Sequence, residues 1–141
     1  MEELIQSIKN LAEVYSANLK GKIEARTEEM KADDNAHYLI YRVLGISLEQ
    51  GQLIDSYQNT GRFLYKYAGS FLEASATLCL NYRFPEGIKT KVENTIGQRP
   101  KTFEIDFLND NDAIEVKWKD ATTDGDHITK EHTRVQVIKN H

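Results

Sequence analysis

Leu4, Ile8, Leu11, Tyr15 and Leu19 recur at three- and four-residue spacing between Glu, Lys and Asn, the stripe that an amphipathic helix buries on one face. The pattern predicts one helix from Glu2 to about Met30, with Gly21 weakening its interior. Asp33-Asp34-Asn35 follows as its exit, and Asp34 or Asn35 caps a short helix through Tyr38, Leu39, Ile40, Val43 and Leu44 that Gly45 closes. Ser47-Leu-Glu-Gln50 has the Ser-x-x-Gln form of a capping box and starts a helix with Leu48, Leu53 and Ile54. Asn59-Thr60-Gly61 breaks that pattern. Phe63, Leu64, Tyr67, Phe71, Leu72, Leu78 and Leu80 then give a second apolar helix of about five turns.

Further along, the period changes from helical to alternating. Arg83-Phe-Pro-Glu-Gly87 is a turn by its Pro-x-Gly chemistry, and residues 88–96 fit a short strand or an irregular segment. Phe103, Ile105 and Phe107 alternate with Glu104 and Asp106; Ile114, Val116 and Trp118 alternate with Glu115 and Lys117. Each run has one apolar and one charged face, so residues 101–119 read as a β-hairpin. Asp110 and Asn111, which tolerate positive φ, are the expected loop pair. That register sets Asp106 opposite Glu115 and Glu104 opposite Lys117. After a polar loop, Asp126 is the expected cap of a last helix, with Ile128, Val135 and Ile138 on one face and Lys130, Arg134 and Lys139 on a basic outer side. The fold class is α+β: a helical N-terminal half, then a mixed sheet centred on the hairpin and flanked by helices.

Two carboxylates meet on the charged face of this hairpin. Like charges directly opposite on a ladder are destabilising, so Asp106 and Glu115 call for a cation or a proton. A hard divalent ion such as Mg²⁺ suits them, held by one or two carboxylates plus waters and phosphate oxygens. Lys117, two residues beyond Glu115, carries an ammonium suited to orienting water or to neutralising charge on a phosphorane. The plain alternative is a solvated hairpin with a cross-strand Glu104–Lys117 pair.

The Asp106, spacer, Glu115-Val116-Lys117 arrangement resembles the signature of the PD-(D/E)xK nuclease superfamily. The longer strings Gly97 to Asp106 and Ile114 to Arg134, with Gly61-Arg-Phe-Leu-Tyr-Lys-Tyr-Ala-Gly69 upstream, are similar to the ApaLI-like type II restriction endonucleases. This resemblance implies a single domain over residues 1–141, with a helical part over 1–58 and a nuclease core over 59–141. It implies Mg²⁺-dependent cleavage of both strands of a palindromic site in double-stranded DNA, GTGCAC for the namesake. A symmetric homodimer follows from the two-fold site, and a cognate DNA methyltransferase is expected in a bacterial host. On this basis Asp106 and Glu115 hold the metal with the Val116 carbonyl as a further ligand, and Lys117 positions or activates water. Glu73, the one acid between Asp55 and Glu86, matches the acid that such cores draw from the helix ahead of the hairpin; the alternative is a plain solvent-edge residue of its helix. Four residues away on the same face, Gly69 leaves room for a backbone or a phosphate.

Base-reading candidates are Thr122, Thr123, Asp124, His127, Lys130 and Arg134, which the hairpin exit and helix start project toward a groove; Arg99 pairs with phosphate or with a surface acid. Two further readings stay open: a repair or junction nuclease of the same core, and a noncatalytic module that only binds DNA or dimerises. Cores of this type carry another strand after the last helix, and the chain ends at His141. The expectation is therefore a shortened core with an uncovered sheet edge, dimeric through its helical half or that edge, with its metal ligands present but cleavage weak or absent.

Composition narrows the field. A chain of 141 residues is large enough for one core, and it has no long apolar run or leader, which predicts a cytoplasmic protein with no membrane span. A net charge of −4 argues against charge-driven, nonspecific nucleic-acid binding, although metal-binding acids lower such a count. Cys79 is the single cysteine, which excludes an intramolecular disulfide and a cysteine zinc cage; it is expected to be a buried, inert thiol. His127 and His132 are five apart, a poor spacing for two ligands on one helix face, which argues against zinc. His37 has no ligand-spaced partner and reads as a surface or interhelical residue.

Overall fold

The computed structural model describes residues 1–118 and 125–140, with the backbone alone for 125–128. Helix α1 (Glu2–Lys31) is followed by a 3₁₀ turn (Ala36–Tyr38), α2 (Leu39–Val43) and α3 (Leu48–Arg83), then by strands β1 (Ile88–Glu93), β2 (Thr102–Leu108) and β3 (Ala113–Ile114) and by α4 (Gly125–Lys139). The α+β expectation is met. No helix among the described residues is long and apolar enough to cross a membrane.

Contacts divide the chain into two units, Lys9–Phe71 and Met1–Ile8 with Leu72–His141. In the first, Tyr15 meets Tyr67 and Phe71 edge-on, with ring centroids 6.3 and 5.9 Å apart. The capping box forms as expected: the Gln50 amide donates to Ser47 Oγ (3.2 Å) and the Ser47 amide to Gln50 Oε1 (2.9 Å). Gly45 takes φ 83° after α2, the left-handed stop that glycine adopts without a Cβ clash. Tyr38 packs against Gly51, where a Cβ would lie 2.8 Å from the ring. Its hydroxyl donates to Asp55 Oδ2 (3.0 Å); burial, reinforced by Asp55, pushes the phenol up to about 12. His37 reaches the same carboxylate oxygen at 3.2 Å, an interhelical contact.

The predicted break at Asn59-Thr60-Gly61 does not occur, because α3 runs unbroken for 36 residues. Asn59 turns its side chain onto its own helix, donating to the Asp55 carbonyl (2.8 Å). A helical glycine costs only about 1 kcal/mol relative to Ala, too little to interrupt apolar stripes on both sides. Cys79, expected to be buried, is exposed.

In the second unit the sheet is antiparallel, in the order β1-β2-β3. Its long pairing is β1 with β2, from Ile88↔Leu108 to Glu93↔Thr102, whereas β2 and β3 share only Phe107↔Ile114 and Leu108↔Ala113. The predicted register of the 101–119 hairpin is therefore present, but its second strand is two residues long. Its loop closes through the Asn109 side chain, whose Oδ1 accepts the amides of Asn111 (2.9 Å) and Asp112 (2.7 Å). Neither Asp110 nor Asn111 needs the positive φ expected of it. Trp118, expected on the apolar face, is 51 % exposed beyond the end of the strand.

Val92, Phe103, Ile105 and Val137 form the core of this unit, with Leu108 and Ile138 against it. On α4 the buried position is Val137, while Val135, expected inside, is 49 % exposed; the apolar stripe is rotated from the predicted one. The same rotation turns Arg134, expected on the outer face, inward. The Ile128 side chain lies outside the described residues; Asp126, expected to cap α4, is already inside it, because the helix begins at Gly125. Phe107 lies on the backbone of Gly87, where a Cβ would come within 1.9 Å of its ring. The Gly87 amide closes the predicted turn onto the Phe84 carbonyl (3.1 Å).

Candidate metal centre

Three carboxylates from two elements converge beside the sheet. Glu73 projects from α3, and Glu104 and Asp106, two apart on β2, share a strand face. One oxygen of each lies within 4.8 Å of the others. Asp106 is 6 % exposed, and a carboxylate so buried requires partners. It has two, because Oδ1 accepts from Lys89 Nζ (3.2 Å) and Oδ2 from the Val116 amide (2.9 Å).

Lys89 stands among all three acids, bonded to Glu73, to Glu104 Oε1 (2.9 Å) and to Asp106. Strand pairing puts it there. Between Ile88↔Leu108 and Thr90↔Ile105, β2 has one more residue than β1, and a bulge of this kind re-aims side chains. The bonds to Glu73 and Glu104 hold the Lys89 ammonium well above the usual lysine range, against a smaller opposing effect of burial. The hydrogen bond from Lys89 lowers the Glu104 carboxyl below its usual range. Of these three acids, Lys91 reaches Glu104 alone, at 3.6 Å.

Glu115 is arranged differently. Its Oε1 lies 2.6 Å from Lys117 Nζ and 2.8 Å from Arg134 Nη1, while Oε2 is buried without a hydrogen-bond partner among the described residues. The Arg134 contact is an ion pair by distance without hydrogen-bond alignment, and the guanidinium also stands 5.5 Å from the centre of the Phe103 ring. This arrangement explains the short β3. The Val116 amide bonds to the Asp106 carboxylate and not to a ladder carbonyl, so strand pairing ends at Ile114. Glu104 pairs with Lys89 and Lys91, and the alternative Glu104–Lys117 pair does not form.

A scan of protein families matches the description "ApaLI-like restriction endonuclease" over residues 1–141. The chain belongs to this restriction endonuclease family. No curated protein and no solved structure matched it. In this family member Asp106 and Glu73 are brought together, whereas Glu115 and Lys117 form a neighbouring ion-paired cluster linked to Asp106 through Val116. The donor set suits Mg²⁺: hard carboxylate oxygens surround a point where a cation, the Lys89 ammonium, already stands.

Glu104 and Lys89 are the members of the site that sequence reasoning did not assign to it. The signal for Glu104 was its i,i+2 spacing from Asp106. Lys89 carried no local signal, since its place depends on the β1–β2 register and the bulge. Of the base-reading candidates, Arg134 is inward against Glu115, with its side chain 18 % exposed. Lys130 is exposed on α4, and Arg99 is exposed just before Pro100. Thr122, Thr123, Asp124 and the His127 side chain lie outside the described residues.

Proposed function

We propose that this protein is a Mg²⁺-dependent, site-specific deoxyribonuclease that hydrolyses phosphodiester bonds in both strands of double-stranded DNA. The observation that carries the reading is the buried Asp106 carboxylate, joined by Glu73 and Glu104 around one cation position. These three acids would hold the ion. Glu115 and the Val116 carbonyl, assigned by the Asp, spacer, Glu-x-Lys pattern, complete the set from the segment that Asp106 anchors. A bound Mg²⁺ supplies Lewis acidity at the scissile phosphoryl group.

The protein's own groups do the rest. Asp106 fixes the Val116 backbone, and with it the placement of Glu115 and Lys117. Lys117, 45 % exposed, orients the attacking water and offsets charge building on the phosphorane. Water gives up one proton as it adds to phosphorus, one P–O ester bond breaks, and the departing alkoxide takes up a proton, leaving a phosphomonoester end and a hydroxyl end. The enzyme acts as a homodimer on a palindrome such as GTGCAC, in the bacterial cytoplasm beside a protecting methyltransferase. Thr122, Thr123, Asp124, His127 and Lys130 are its base-reading candidates, and Arg99 a phosphate contact.

Incubation with supercoiled plasmid tests the activity. Discrete fragments in Mg²⁺ and intact plasmid in EDTA are expected. A smear of products in Mg²⁺ contradicts site specificity, and equal cutting in EDTA contradicts the metal.

A further inference from the structure

We propose that Lys89 is a built-in counter-cation of the Glu73–Glu104–Asp106 site, which a divalent ion must expel in order to bind. This rests on the reading of those acids as the metal ligands. Lys89 Nζ touches all three, at 2.9 Å from Glu104 Oε1 and 3.2 Å from Asp106 Oδ1, with Glu73 as the third contact. The ligand oxygens of the group span no more than 4.8 Å, so the ion and the ammonium cannot occupy it together without strong repulsion at contact distance. The Lys89 side chain is 41 % exposed, and its flexible four-carbon stem gives the ammonium a route out to solvent.

Two consequences follow. In the metal-free protein Lys89 keeps three mutually repelling carboxylates in place, the preorganisation a metal site needs. The same contacts make it a competitor, so the affinity for the ion reports an exchange of one cation for another. Lys91 is an internal control, since it carries the same charge on the same strand but of the three acids meets Glu104 alone, at 3.6 Å.

The test is calorimetric titration of the purified protein with Mn²⁺, without DNA, alongside thermal unfolding with and without Mn²⁺. Lys89→Met is expected to bind Mn²⁺ at least about tenfold more tightly than wild type, equivalent to about 1.4 kcal/mol. Lys91→Met is expected to change affinity by much less. Lys89→Met should also melt lower than wild type in EDTA and regain that difference in Mn²⁺. If it folds only when Mn²⁺ is present, the exchange is supported; if it fails to fold even then, the proposal is overturned. Wild-type or weaker affinity in Lys89→Met, or equal tightening in Lys91→Met, also overturns it. Asp106→Asn separates the two levels of the argument. Mn²⁺ binding untouched by Asp106→Asn refutes the assignment of the ligands, whereas binding lost in Asp106→Asn but not tightened in Lys89→Met refutes the role of Lys89 alone.

Discussion

Asp106 makes two contacts with one side chain, one oxygen accepting from the Lys89 ammonium and the other fixing the Val116 amide, and as a proposed metal ligand it would serve both the ion and the segment that carries Glu115. Its replacement by Asn should therefore cost at least about a hundredfold in cleavage rate, the upper part of the range for losing a group that orients a metal site, with DNA affinity changed far less; single-turnover kinetics beside a duplex-binding titration check this. Glu104 gives a pH dependence of stability whose sign follows from its surroundings. Lys89 lowers its carboxyl, with Lys91 adding to this and Asp106 opposing it. A lowered carboxylate stabilises the fold above the ordinary carboxylate range and loses that contribution as pH falls through the folded value. The raised Lys89 ammonium contributes fully below the ordinary lysine range and is lost only as pH rises past its folded value. Metal-free thermal melts should thus be flat with respect to this pair between the two ranges and decline beyond both, with Glu104→Gln shrinking the acid-side decline. An acid limb identical in Glu104→Gln and wild type contradicts this assignment.

Elements were legible where the signal is local. The α1 stripe and the Ser47–Gln50 capping box both lie within a few turns of chain, and the structure repeats them. The hairpin register was legible too, because inward and outward residues cannot exchange without turning Phe103, Ile105 and Phe107 to solvent. The length of β3 was not, since a long-range bond from Val116 to a side chain ends the ladder. Nor was the continuity of α3, because three weak helix formers, Asn59, Thr60 and Gly61, look like a terminus when the packing on either side is unknown. The site divides in the same way: Asp106 and Glu73 could be found from pattern and resemblance, whereas Lys89 required the pairing of two strands across an eight-residue connection. The turn before β1 carries its own prediction. A methyl group on Gly87 has no room beside Phe107, so Gly87→Ala should destabilise the fold by roughly 3 kcal/mol, at the upper end for overpacking. Urea unfolding measures it, and a loss under about 1 kcal/mol would show that the ring moves aside easily.

At the scale of the whole molecule, a net charge of −4 leaves little general attraction to DNA, so binding must come from local contacts. The unit of residues 9–71 exposes apolar side chains in and beside α2: Leu39 62 %, Ile40 58 %, Val43 80 % and Leu44 72 %. Apolar groups clustered on a surface mark an interaction site, and on the proposed action at a palindrome its occupant would be a second copy of the chain. Val43→Glu combined with Leu44→Glu should turn a dimer into a monomer in sedimentation velocity while leaving Mn²⁺ binding intact; a dimer unaffected by the pair moves the contact elsewhere. The most direct test of the central claim is cleavage of a sequenced plasmid by wild type and Asp106→Asn in parallel, in Mg²⁺, with the fragment ends mapped. One recurring palindromic sequence at the wild-type ends and intact plasmid with Asp106→Asn are expected. Undiminished cutting by Asp106→Asn would contradict the claim.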